Sequence, residues 1–440
     1  MPSAAFYTLG CKVNQYESFS LMRAFSGAGF ALVEPGEPAD VYIVNSCTVT
    51  GAGDKKSLQA LRRFRRQAPE AVVVLCGCFP QAFPQKAQAV LEADIVMGSK
   101  NRGALLGAVL DKLSGKTGRV VNIPAHDDAE PFEKPDGPAF SDRARAYLKI
   151  QDGCNRDCAY CIVPKARGPA RSNPLEDIHA ELESIASAGY KEVVLAGVNL
   201  CCYGHNLGIS LTEAVVAVCN AHRLYRVRLG SLEPDLITNE DIERWAAFRE
   251  ESSRSAMLCP HFHLSLQSGC DETLRRMNRR YDTQHYRETV RKLREAFPDC
   301  AITTDIIVGF PGETQEDHQA SMDFVKEMAF ARVHVFPFSP RPGTAAAGMP
   351  DKIPPETAAR RAKEMAETSA ESRCEFLMSR IGTVYSILFE SIAEEGVCHG
   401  HTPCHTPVWV RAGGDLRGEV RTVRITAVYE DGCWGTLRDI

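Results

Sequence analysis

No stretch of the sequence reaches the roughly 20 apolar residues that a bilayer-spanning helix requires, so no membrane is expected among its partners. Residues 1–6 lack a charged segment leading into an apolar one, which argues against a secretory signal and for a cytoplasmic protein. An excess of positive charge is missing too. With 51 Lys and Arg against 56 Asp and Glu, the net charge is −5, so any RNA binding needs local basic patches rather than a global field. No solenoid-type repeat is present. What the chain has in quantity is cysteine. Seventeen residues, an odd number unevenly spaced in a reducing compartment, argue against a disulfide framework and for metal ligands mixed with buried thiols.

At 440 residues the chain exceeds what one core supports. Residues 1–113 alternate strand signals (4–10, 40–45, 71–75, 95–98) with helix signals (14–29, 54–67, 85–91, 104–113), which predicts an α/β domain with a parallel sheet. Residues 114–141, rich in Gly, Pro and Asp, read as a linker or strand plus linker. A second βα series over 142–374 carries strands at 146–151, 192–196, 225–229, 262–266, 301–308 and 332–338. That count predicts a (β/α)6 partial barrel, left by a long helix at 355–379. Residues 375–440 alternate apolar and polar positions, with strands at 383–389, 407–411 and 419–428, and predict a small β-barrel.

The most specific motif is Cys154-Asn-Arg-Asp-Cys158-Ala-Tyr-Cys161, a CxxxCxxC run placed directly after the first barrel strand. Three thiolates this close can hold three irons of a [4Fe–4S] cluster and leave the fourth iron open to a small ligand. A closed structural zinc site wants four protein ligands, and no fourth candidate lies nearby in sequence. Cys11, Cys47 and Cys78 each follow a predicted strand of the first domain, at the sheet edge where α/β proteins bind ligands. Any one of them alone reads as a buried thiol. Three on one edge point to a second cluster. Cys76 shares a strand face with Cys78 and reads as strand interior.

At these residues the chain resembles the radical S-adenosylmethionine (SAM) methylthiotransferases over nearly its whole length. The resemblance is carried by Leu9-Gly-Cys-Lys-Val-Asn-Gln-Tyr-Glu17, Asn45-Ser-Cys-Thr-Val-Thr50, Gly77-Cys-Phe-Pro-Gln81, Cys161-Ile-Val-Pro164, Leu195-Ala-Gly-Val-Asn199, Ser265-Leu-Gln-Ser-Gly269 and Asp305-Ile-Ile-Val-Gly-Phe-Pro-Gly-Glu-Thr314. The last domain resembles the TRAM RNA-binding module. The choice of Cys78 over Cys76 as ligand draws partly on this likeness. The Lys12–Tyr16 version of the opening looks most like the MtaB-type branch, which acts on N6-threonylcarbamoyladenosine beside the tRNA anticodon. The resemblance implies two [4Fe–4S] clusters, with SAM as radical source at the Cys154 cluster and as methyl donor for a sulfur carried at the other. It also implies a tRNA substrate, a flavodoxin- or ferredoxin-like electron donor and a sulfur source. Departures from the family are Cys201-Cys202 after Asn199, Phe79-Pro80, and residues 401–410 of the TRAM-like segment.

By position, Gly197, Ser231, Glu233 and Gln267 follow successive barrel strands and are candidate SAM contacts. Tyr160 is placed to pack on the adenine; each of the five is equally readable as a loop, cap or core residue. Lys55, Arg62 and Arg66 share a face of the helix at 54–67 and are candidate RNA phosphate contacts, against the plainer alternative of a solvated face. Arg275, Arg276, Arg279 and Arg280 form a weaker basic group. The Cys398–His405 segment reads as a loop of the terminal barrel rather than a zinc site, and His261 and His263 as structural or substrate contacts. Rival functions are methylthiolation of isopentenyladenosine, methylthiolation of a ribosomal-protein aspartate, dicluster electron transfer, and RNA binding with structural clusters.

Overall fold

A computed structural model describes residues 1–128, 130–134, 144–221, 224–250, 252 and 255–438. Residue 129 and residues 135–141 of the expected linker lie outside the described residues.

The N-terminal sheet contains β1 (Ser3–Thr8), β2 (Ala31–Val33), β3 (Val41–Ser46), β4 (Val72–Gly77), β5 (Ile95–Met97) and β6 (Val120–Asn122). All pair in parallel in the order β2-β1-β3-β4-β5-β6. The central strands β3 and β4 are buried throughout, as expected of a parallel sheet covered on both faces. Helix Gly51–Gln67 starts where Thr50 Oγ1 accepts the Gly53 N–H at 3.2 Å, with Asp54 in its first turn and Arg65 and Arg66 in its last, both matched to the helix dipole. Periodicity does not single out the short edge strands β2 and β6; β6 falls inside the expected linker.

The central unit has β7 (Arg145–Lys149), β8 (Gln151–Asp152), β9 (Arg171–Ser172), β10 (Glu192–Ala196), β11 (Arg226–Leu229), β12 (Ser231–Leu232), β13 (Met257–Leu258), β14 (His261–Leu264), β15 (Ala301–Val308) and β16 (Arg332–Pro337). Eight of them form two parallel sheets, β13-β11-β10-β7 and β12-β14-β15-β16, while β8 and β9 pair antiparallel. β12 continues β11 across Gly230, and β14 follows β13, so the two sheets join into six rungs with β7 and β16 at the edges. Val193, Leu195, Val227 and Leu229 pack in the core beneath the outer helices. Strand alternation turns Glu192, Arg226 and Arg228 to the opposite, inner face.

Helix Pro355–Met378 leads to a closed barrel of β17 (Val384–Glu394), β18 (Val397–His401), β19 (Pro407–Arg411), β20 (Val420–Tyr429) and β21 (Gly432–Leu437), in the order β17-β18-β19-β21-β20. β18 falls where the sequence predicts a loop. Its Cys, His and Gly residues hide the alternation, but β17 and β19 flank it and satisfy its backbone. The three units interlock. Helix Lys12–Gly27 packs Tyr16 against Tyr147 and Val194 of the central strands. From below, Arg226 and Arg228 donate to the His401 and Pro403 carbonyls of the terminal barrel at 3.1 and 2.8 Å.

Candidate functional site

Cys154, Cys158 and Cys161 lie in the loop after β8, at the carboxyl end of the central strands. Backbone bonds fix the loop: Cys154 N–H donates to Gly168 O at 3.0 Å and Cys161 N–H to Cys158 O at 3.0 Å. Donors point at the sulfurs. The Arg156 N–H lies 3.4 Å from Cys154 Sγ, and Arg279 Nη1 lies 3.2 Å from Cys158 Sγ. Hydrogen bonding from the Cys202 thiol, aided by Arg156 and Asn199, pulls Cys154 down to about 7 against the effect of burial. Burial pushes Cys161 up to about 12 and raises Cys158. Clustered thiols with N–H donors aimed at sulfur suit an iron–sulfur cluster. Among the described residues no three His, Cys, Asp or Glu side chains are grouped to share one metal ion. A [4Fe–4S] cluster puts each cysteine on a different iron and uses wider spacing.

β1, β3 and β4 are neighbours in the first sheet, so the loops at their carboxyl ends converge and bring Cys11, Cys47 and Cys78 together. Two glycines make the approach possible. A Cβ on Gly10 (φ +108°) would lie 2.9 Å from Cys47 Cβ, and one on Gly77 (φ +93°) would lie 2.4 Å from Asn45 Oδ1. Gly77 also breaks the strand alternation. Cys76 stays in the core with Val41 and Val74, while Cys78 opens helix Cys78–Ala82 beside the other two ligand candidates. Asn14 Oδ1 faces Cys78 Sγ at 3.7 Å and Cys11 Sγ at 4.0 Å, while its Nδ2 donates to Leu9 O and Ser46 O at 2.7 and 3.0 Å. Burial raises Cys47, and pushes Cys78 up to about 12 against the neighbouring Arg167.

Arg167 joins the two sets. It lies six positions after Cys161, yet its Nε donates to Cys78 Sγ at 3.3 Å, and its other nitrogens bond Asn14 and Glu17 (Nη1–Oε1 2.5 Å). Glu17 also receives Lys149 at 2.9 Å and Arg102 at 2.9 Å, and Asp152 receives Lys149 at 2.6 Å. All five side chains are buried. Although burial opposes it, the cations hold the Glu17 carboxyl down at about 2. The network crosses from the first sheet to the barrel, where sequence spacing gives no signal.

Of the candidate SAM contacts, Tyr160 packs with Ala159, Met277 and Phe310 just inside the cysteine loop. Glu233 is buried and ion-paired with Arg279, which also reaches the Tyr160 hydroxyl at 3.5 Å; burial raises its carboxyl above the usual range. Gly197 sits so close to Gln151 and Leu200 that a Cβ would lie 2.9 and 2.8 Å from them. Ser231 is half-buried in β12. Gln267 is buried with φ +71° and ties β14 to β15 through Asp305 O at 2.8 Å. Tyr160, Glu233 and Cys158 therefore meet around Arg279. In the sequence Arg279 belongs to a basic run that reads as surface. Its neighbours Arg275 and Arg276 are instead engaged by Glu272 and Asp317.

Lys55, Arg62 and Arg66 are exposed on helix Gly51–Gln67, and Arg62 meets Glu92 at 3.1 Å. Cys398 and Cys404 donate to the carbonyls of Gly414 and Asp299, and His401 and His405 bond Glu390 and Arg145 at 2.9 and 2.8 Å. Inside the central barrel His263 meets Asp305 at 3.3 Å and Thr303 at 3.0 Å. Lys12, next to Cys11, lies within electrostatic reach of Arg228, Arg145 and Glu192 on the inner wall.

Residues 148–325 match the Radical SAM superfamily and residues 3–98 match the Uncharacterized protein family UPF0004. The chain is 37% identical over 433 residues to a threonylcarbamoyladenosine tRNA methylthiotransferase MtaB of Thermotoga maritima, covering 98% of this chain and 96% of the relative. It is 36% identical over 434 residues to that of Bacillus subtilis, covering 97% and 94%. A tRNA-2-methylthio-N(6)-dimethylallyladenosine synthase of Syntrophobacter fumaroxidans is 32% identical, covering 98% and 94%. Among solved structures, the radical SAM methyltransferase TsrM of Kitasatospora setae shares the fold, with TM-score 0.52 at 14% identity over 76% of this chain and 73% of that one. Radical SAM membership implies a [4Fe–4S] cluster and SAM, and no described helix is long and apolar enough to cross a membrane. The chain belongs to the radical SAM tRNA methylthiotransferase family.

Proposed function

We propose that this enzyme methylthiolates carbon 2 of N6-threonylcarbamoyladenosine beside the tRNA anticodon, using two [4Fe–4S] clusters. Cys154, Cys158 and Cys161 would hold one and Cys11, Cys47 and Cys78 the other. When bound, the first supplies the electron that cleaves SAM to a 5′-deoxyadenosyl radical, and the second supplies the sulfur to be methylated.

The observation that carries this reading is Arg167. Six positions beyond Cys161, this residue reaches the Cys78 thiol of the first sheet at 3.3 Å, which supports the two cysteine sets facing each other. The protein's own groups have definable tasks there. Arg279 would neutralise the thiolate charge at Cys158 and hold Glu233 in place for a ribose hydroxyl. Tyr160 would pack on the adenine of SAM, while Gly197, Ser231 and Gln267 would present their backbone and side-chain polar groups to it. Lys55, Arg62 and Arg66 would meet tRNA phosphates. A flavodoxin- or ferredoxin-like protein would deliver electrons, and a separate donor would replenish sulfur. In domain terms, 1–113, 142–374 and 375–440 would act as sulfur carrier, radical generator and RNA clamp.

The test is mass spectrometry of tRNA nucleosides from cells lacking the protein. Loss of the methylthio form of threonylcarbamoyladenosine, with accumulation of its precursor, is expected. Loss of methylthio-dimethylallyladenosine instead would transfer the enzyme to the branch represented by the 32%-identical relative.

A further inference from the structure

The barrel floor beneath the Cys11 loop carries more positive charge than its own acids neutralise. Lys12 opens helix Lys12–Gly27 one turn before Tyr16, which packs on Tyr147 and Val194 of the central strands, and it is half-buried on that face. It makes no hydrogen bond or ion pair among the described residues. The carboxylates around it are taken, and the Cys11 thiol beside it belongs to the cysteine set. Glu192 is fully buried between Arg226 (Nε–Oε2 2.5 Å) and Arg228 (Nε–Oε1 2.7 Å). Arg145 pairs with Glu390 at 2.9 Å and stands 4.0 Å from Glu192. Four cations (Lys12, Arg145, Arg226 and Arg228) thus face two carboxylates, Glu192 and Glu390. Asp305, on β15, is engaged by His263 at 3.3 Å. A half-buried ammonium with no carboxylate partner is stabilised when an anion from outside pairs with it.

We propose that Lys12 binds the carboxylate carried on N6 of the substrate adenosine and so selects a threonylcarbamoyl over a dimethylallyl side chain. The inference rests on the function proposed above. The threonylcarbamoyl group ends in a free carboxylate, whereas a dimethylallyl group is a hydrocarbon. The first pairs the ammonium; the second would seal it away unpaired, and a site built for a charged group rejects an analogue lacking it. The position of Lys12 fits the shape of the base. On a purine, C2 and C6 flank N1, so a base that presents C2 to the cysteine sets carries its N6 substituent along the same wall. Lys12 is the residue next to Cys11 on that wall.

The experiment uses iron-reconstituted full-length protein and anticodon stem-loop RNAs that differ only in the N6 group: the threonylcarbamoyl free acid or its methyl ester. Dissociation constants are read by fluorescence anisotropy. Wild type should bind the acid about tenfold or more tighter than the ester, the worth of one charge-assisted hydrogen bond. Lys12→Met should reduce that preference to about threefold or less, and Lys12→Arg should restore part of it. Iron content and melting temperature establish that the variants fold, and the acid–ester comparison in wild type needs no variant at all. A wild type indifferent to esterification overturns the proposal. So does a Lys12→Met protein that weakens on acid and ester alike, as a tRNA phosphate contact would produce. A wild type that methylthiolates dimethylallyl stem-loops but not threonylcarbamoyl ones overturns the proposed function itself, a distinguishable result.

Discussion

The two cysteine sets are built in opposite ways. Cys154, Cys158 and Cys161 occupy one loop, and that loop's local hydrogen bonds bring their thiols together. Cys11, Cys47 and Cys78 stand on three loops and meet only because β1, β3 and β4 are adjacent in a parallel sheet. The first set needs a local fold, the second a whole domain. The second also needs glycines at positions 10 and 77, where a Cβ would strike Cys47 or Asn45. A dispersed set is therefore the more sensitive to backbone change, and the comparison can be broken at its ligands, at its bridge and at its surface.

The largest effect is expected at the ligands. Cys78→Ser should abolish methylthiolation while 5′-deoxyadenosine is still released from SAM, and Cys76→Ser should keep most of the activity. Chromatography of both products from one reaction distinguishes them, and the reverse pattern would exchange the roles of the two residues. Next comes the bridge. Arg167→Met removes a buried cation shared by Cys78, Asn14 and Glu17, and leaves Glu17 short of a partner. Breaking such a network costs about 3–5 kcal/mol. A denaturant midpoint equal to wild type would mean that the units are not held together this way.

The contrast also explains what was legible in the sequence. β3 and β4 open on continuous apolar runs, β15 is rich in β-branched residues, and the CxxxCxxC motif declares itself by spacing. β18 and β21 carry Cys, His, Gly and Thr, and are strands because the closed barrel supplies their partners. Arg167 looks like any helix-terminal arginine until Glu17 arrives from the other unit. Arg279 sits in a run of arginines, yet it alone turns inward to Cys158 and Glu233. Long-range polar partners leave no periodic trace in the chain, so these residues emerge only once the fold is known.

The smallest effect belongs to the surface. Replacing Lys55, Arg62 and Arg66 together by Ala should flatten the dependence of tRNA binding on salt by about one log–log unit for each phosphate no longer neutralised. An unaltered slope would make that face a merely solvated one.

The central claim, that one chain carries two clusters on these six cysteines, is tested most directly by counting iron after anaerobic reconstitution. The expected result is about eight irons per chain, four per cluster, falling to about four when Cys154, Cys158 and Cys161 are all replaced by Ala. A wild-type plateau at about four irons would contradict it.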